Sequence, residues 1–79
     1  MRLSIYLSQQ LEDLRIDKNT ASSLFGVSRQ SLHKWLTNKS LPSFNNLKSI
    51  SRVLALLRGI PLSDVLDEMT QSIKKELSQ

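Results

Sequence analysis

The chain has no cysteine, one histidine, two prolines, two glycines and four aromatic residues in 79 positions. Without cysteine, neither a disulfide nor a thiolate metal site can supplement a core that so short a chain makes only just large enough. One histidine supports no zinc site, and no pattern in the sequence points to a cofactor or a small-molecule ligand. Scarce proline and glycine favour a bundle of short helices over a sheet. No apolar run approaches the roughly 18 residues that span a bilayer, so no membrane segment is expected. Met1-Arg2-Leu3-Ser4 leads directly into a periodic segment without the apolar stretch of a signal peptide, and the expected setting is cytoplasmic. The most informative absence is of acid. From Lys18 to Ser63 there is no Asp or Glu, while the same stretch holds Lys18, Arg29, His33, Lys34, Lys39, Lys48, Arg52 and Arg58. Glu12, Asp13, Asp17, Asp64, Asp67, Glu68 and Glu76 all lie outside it, so the formal net charge of +4 understates the local positive field. An enzyme is not expected: there is no cysteine nucleophile and no acid near His33 in sequence to orient its ring.

What is present is helical periodicity. Leu3, Leu7, Leu11 and Leu14 form one stripe of a helix over about residues 3 to 16. Asp17 is a candidate N-cap for a short second helix, with Ala21, Ser22, Leu24 and Phe25 at helical spacing and Gly26 as its left-handed stop. Val27 follows as an apolar plug, and Ser28 caps a third helix, Arg29 to Leu36, with Leu32 and Trp35 inward. Asn38 tolerates the positive φ that ends this helix. Ser43 caps a fourth, whose apolar face is expected to be Phe44, Leu47, Ile50, Val53, Leu54 and Leu57 before Gly59 stops it. Pro61 suits the first turn of a fifth helix, about residues 61 to 77, carrying Leu62, Val65, Leu66, Met69, Ile73 and Leu77. The expectation is one all-α domain of five helices over residues 1 to 79.

Residues 18 to 36 have the pattern of a helix-turn-helix. A small residue in the first helix (Ser22), a glycine at the turn (Gly26), an apolar residue after it (Val27) and two inward positions in the second helix (Leu32, Trp35) occur in register, with Ala21 and Phe25 at compatible spacing. With Asn38-Lys39 and Pro42-Ser43 behind them, the run from about residue 11 to 66 resembles the Cro/C1 repressor-like (Xre) family of helix-turn-helix proteins. The departures are Ser22 where Ala is usual, Leu36 where Glu is frequent, Asn38 where Gly is typical, and Lys18 where Gln often opens the second helix. The resemblance implies a compact, five-helix, lambda-repressor-like DNA-binding domain acting as a small transcriptional regulator.

With Leu32 and Trp35 inward, the outward N-terminal face of the third helix presents Arg29, Gln30 and His33, with Lys34 one step round. These are the expected base-reading residues: Gln30 can bond adenine bidentately and Arg29 guanine, and Lys34 suits a guanine edge or a phosphate. The expected phosphate contacts are Lys18, Ser28, Ser31, Asn38, Lys39 and Ser43, which lie at or near helix ends. Met69, Ile73 and Leu77 extend an apolar stripe beyond what four helices can cover, and are expected to pair two copies into a homodimer on a palindromic or pseudo-palindromic operator. The rival reading is a protein-interaction module of antitoxin or anti-repressor type on the same scaffold. It would show exposed apolar anchors where the third helix instead shows Arg29, Gln30, His33 and Lys34.

Overall fold

Five helices carry the described residues, which run from 3 to 77 in this computed structural model, with side chains described through Lys74: α1 (Leu3–Asp13), α2 (Lys18–Phe25), α3 (Arg29–Leu36), α4 (Phe44–Arg58) and α5 (Leu62–Leu77). No strand occurs among them, and the all-α class expected from the periodicity holds. The helix starts follow from local chemistry. Asp17 Oδ1 accepts from the Thr20 N–H (2.7 Å), Ser28 Oγ from the Ser31 N–H (3.1 Å), and Ser43 Oγ from the Asn46 N–H (3.3 Å). Each bond satisfies a donor that the first helical turn would leave unpaired. At α5 the Asp64 N–H donates to the carbonyl of Pro61 (3.1 Å).

The ends of α1 to α4 share one device. After each, a backbone N–H reaches the carbonyl five residues back: Ile16 to Leu11, Val27 to Ser22, Lys39 to Lys34, and Ile60 to Ala55, at 2.8–3.1 Å. The residue preceding that N–H is left-handed every time, namely Arg15 (φ 56°), Gly26 (71°), Asn38 (61°) and Gly59 (66°). This is the Schellman closure, which needs a positive φ. Three of the four residues are types that adopt it readily; Arg15 is not, yet it takes the left-handed conformation, and this ends α1 at Asp13 instead of at about residue 16.

α1 packs on α3 and α5, α2 on α3 and α4, and α4 on α5. Leu3, Leu7 and Leu11 from α1 meet Ala21 and Phe25, Leu32 and Trp35, Ile50 and Leu54, and Val65 and Met69 in one core. Ser22 is buried among them, because its hydroxyl donates to the Asn19 carbonyl (2.9 Å) and so is satisfied within its own helix. Five residues expected on apolar helix faces are instead exposed: Leu24, Leu57, Leu62, Leu66 and, at 73%, Phe44. Phe44 is the first residue of α4, one turn beyond the reach of the core, and its ring lies under the Lys48 ammonium (5.4 Å).

Met69 corrects an expectation. It is 3% exposed and stands inside the monomer beside the Ser51 hydroxyl, so it is not available to a second copy. Ile73 packs partly buried against the same core, and the side chain of Leu77 lies outside those described. The stripe on α5 is therefore taken up, at Met69 and Ile73, by the chain's own interior.

One polar cluster fastens α1, α4 and α5 together. Glu68 Oε1 accepts from the Tyr6 hydroxyl (2.7 Å) and from Arg58 Nη1 (2.6 Å), and Oε2 accepts from Arg58 Nη2 (3.2 Å). The two bonds from Arg58 hold the Glu68 carboxyl below its usual range, despite partial burial that works the other way, and Tyr6 adds to the lowering. Burial pushes the Tyr6 hydroxyl upward, and its bond to Glu68 adds to the shift. Arg58 thus drops out of the basic field inferred from the sequence, because its charge is matched within the fold.

Candidate nucleic-acid interface

α2 and α3 follow each other closely and pack together. Gly26, Val27 and Ser28 form a three-residue turn between two eight-residue helices. Leu32 and Trp35 face the core, and this fixes the rotation of α3. Arg29, Gln30, His33 and Lys34 are consequently all exposed. Arg29, Gln30 and His33, together with Lys18 from the first turn of α2, line one open depression. Its walls are hydrogen-bonding side chains carrying two permanent cations, an arrangement that can engage both base edges and phosphate oxygens.

The other expected residues stand outside this depression. Lys34 lies one position further round α3, and Asn38, Lys39 and Ser43 belong to the connection from α3 to α4. Lys39 and Ser43 are exposed; Asn38 holds the left-handed turn. Ser28 is engaged internally, since its oxygen accepts the Ser31 N–H and its hydroxyl donates to Ser31 Oγ (3.0 Å). Of the two serines it is Ser31 whose hydroxyl proton stays available to an outside acceptor.

Asp17 is the residue that linear reading of charge missed. The block free of acid begins one residue after it, and its exposed carboxylate is held below its usual range first by the Thr20 N–H and hydroxyl, with the charge of Arg29 adding the smallest lowering. An exposed carboxylate therefore sits at the edge of the basic surface, beside Lys18 in sequence and within the field of Arg29. Its capping role was legible from Asp17-Lys18-Asn19-Thr20; its nearness to Arg29 depends on how α2 and α3 pack.

Among the described residues no three or more His, Asp or Glu side chains gather in a way that would hold a metal ion, and no helix is long and apolar enough to cross a membrane. No family model, curated protein or solved structure matches the chain.

Proposed function

We propose that the protein binds double-stranded DNA with sequence preference, as a small regulator of the Cro/C1-like kind, by setting the N-terminal half of α3 into the major groove. The observation that carries this reading is the sorting of α3: Leu32 and Trp35 are buried while Arg29, Gln30, His33 and Lys34 are exposed, with Lys18 joining three of them in one depression. In this reading Gln30 and Arg29 contact base edges, His33 and Lys34 flank them, and Lys18, Ser31, Lys39 and Ser43 meet phosphates. Asp17, exposed and next to Lys18 in sequence, opposes the attraction to phosphate. Two such domains on a symmetric operator would read two half-sites about 34 Å apart.

The protein-interaction reading is favoured by a different surface. Of the large exposed apolar side chains, Phe44, Leu56, Leu57, Leu62 and Leu66 lie on α4 and α5, Ile5 on α1, Leu24 on α2 and Leu41 between α3 and α4, and none lies on α3. The polar face of α3 supports the DNA reading, and the apolar side chains of α4 and α5 support its rival. Selection of bound fragments from random duplex DNA tests the first: enrichment of a motif of adenine- and guanine-containing half-sites is expected, and an unenriched pool would refute it.

A further inference from the structure

We propose that the hollow between α4 and α5 receives an acidic, amphipathic helix of a partner protein. The site lies on other helices than the one assigned to DNA, and the proposal holds or fails without that assignment. One wall is a stripe of α4 in which Phe44, Lys48 and Arg52 stand four residues apart; the other is Leu62, Leu66 and Thr70, with the same spacing on α5. A second hollow shares Arg52 and Leu62 with the first and extends it to Leu56, four residues beyond Arg52, and to Ile60. The α4 stripe from Phe44 to Leu56 is about 18 Å long, which about three turns of a docked helix would cover. Phe44 is 73% and Leu56 82% exposed, so the chain itself covers little of this surface.

The charge of the walls selects the occupant. The ionisable side chains lining the two hollows are Lys48 and Arg52, both cations and both exposed. Among the described residues neither makes an ion pair within the chain; the Lys48 ammonium lies over the Phe44 ring instead. The acids of α5 that could have matched them line neither hollow: Asp64 and Asp67 stand elsewhere on the helix, and Glu68 is engaged by Arg58 and Tyr6. An apolar trough with two unmatched cations along one wall is complementary to a helix whose apolar stripe is flanked by Asp or Glu. Its apolar side chains fill the space between Phe44, Leu62 and Leu66 while its carboxylates reach Lys48 and Arg52. A basic helix would be repelled by both cations, and a second copy presenting the same walls offers them no carboxylate. A nucleic-acid duplex would set phosphates against Phe44, Leu62 and Leu66, where nothing replaces their lost hydration.

The test is selection on the full chain from a phage-displayed library of random peptides of about 16 residues, long enough for about four helical turns. Enriched peptides should carry Asp or Glu beside apolar residues at i, i+3 or i+4, and i+7. The most enriched peptide, synthesised and labelled, should bind wild type in fluorescence anisotropy, and Lys48→Glu with Arg52→Glu should weaken it about tenfold or more. Phe44→Ala, which removes nothing from the core, should also weaken it, with the helical circular-dichroism signal unchanged in both variants. Lys18→Ala with Arg29→Ala, on the surface of α2 and α3, should leave the affinity within about twofold. A library that enriches nothing, or that enriches basic or acid-free peptides, would overturn the proposal. So would a peptide whose binding is lost with Lys18 and Arg29 but not with Lys48 and Arg52, or a wild-type chain that sediments as a dimer dispersed by Phe44→Ala, since a second copy would then hold the face.

Discussion

Replacing Glu68 with Gln should reveal how much of the fold depends on the junction of α1, α4 and α5. The carboxylate accepts three hydrogen bonds, two of them from the Arg58 guanidinium and one from the nearly buried Tyr6 hydroxyl. An amide keeps one acceptor oxygen but loses the charge, and it turns an NH2 group toward either the guanidinium or the hydroxyl. Bonds to charged groups contribute about 1.5–3 kcal/mol when well buried, and because the Glu68 and Arg58 side chains are 38% and 27% exposed the loss is expected to be about 1–2 kcal/mol. For a domain of this size each kcal/mol lowers Tm by about 4–8 °C. Tyr6→Phe, which leaves the ion pair intact, should cost about 1 kcal/mol, and the double variant should cost less than the sum. The pH dependence follows from the depressed Glu68 pKa: the contribution is complete above the ordinary value of 4.5 and is lost as the pH falls through the lower value of the folded state. Thermal melts of wild type and Glu68→Gln should therefore differ most at neutral pH and converge toward about pH 2. Equal stability at pH 7, or a gap that does not narrow in acid, would refute the reasoning.

The left-handed closures predict opposite effects at two sites. Gly26→Ala should destabilise by about 1–2 kcal/mol through the backbone alone, because nothing stands within 4 Å of the added methyl; Arg15→Gly should stabilise by about 0.5–1 kcal/mol in a chemical melt. Asp17→Asn keeps an N-cap oxygen while removing the carboxylate near Arg29, so duplex affinity at low salt should rise by up to about fivefold with stability nearly unchanged, as read by fluorescence anisotropy and a thermal melt. A fall in affinity would contradict the electrostatic role given to Asp17.

Where the fold was legible, local chemistry decided it. Asp17, Ser28 and Ser43 begin helices because their side-chain oxygens bond the N–H three residues on, and Gly26, Asn38 and Gly59 end them because they accept positive φ. Both signals act within a few residues, so α2, α3 and α4 have their expected bounds. The errors occur where distant parts of the chain decide. Arg15 adopts a left-handed turn with no propensity to announce it. Phe44 continues the apolar spacing of α4 but lies beyond the reach of the core. The same spacing on α5 does not distinguish Met69, which is inside, from Leu62 and Leu66, which are outside, until α4 is laid against it. Tyr6 and Glu68 are 62 residues apart, and no periodicity links them. The exposure of Arg29, Gln30, His33 and Lys34 was legible because the spacing of Leu32 and Trp35 turns them toward the core, where Leu36 also packs; the influence of Arg29 on Asp17 was not, because it depends on how α3 sits against the start of α2.

The central claim, that α3 reads duplex DNA, is tested most directly by titrating the selected operator against the wild-type chain, Gln30→Ala and Lys39→Ala across a salt series. If about 3–5 phosphates are neutralised per subunit, the log-log slope for wild type should be about −3 to −4.5. Gln30→Ala should lose about 1–3 kcal/mol on the operator and relax base preference at one position in each half-site with the slope unchanged, whereas Lys39→Ala should weaken all sequences alike and flatten the slope by about one. No binding to any duplex at about 50 mM salt, or a sequence preference indifferent to Gln30, would contradict it.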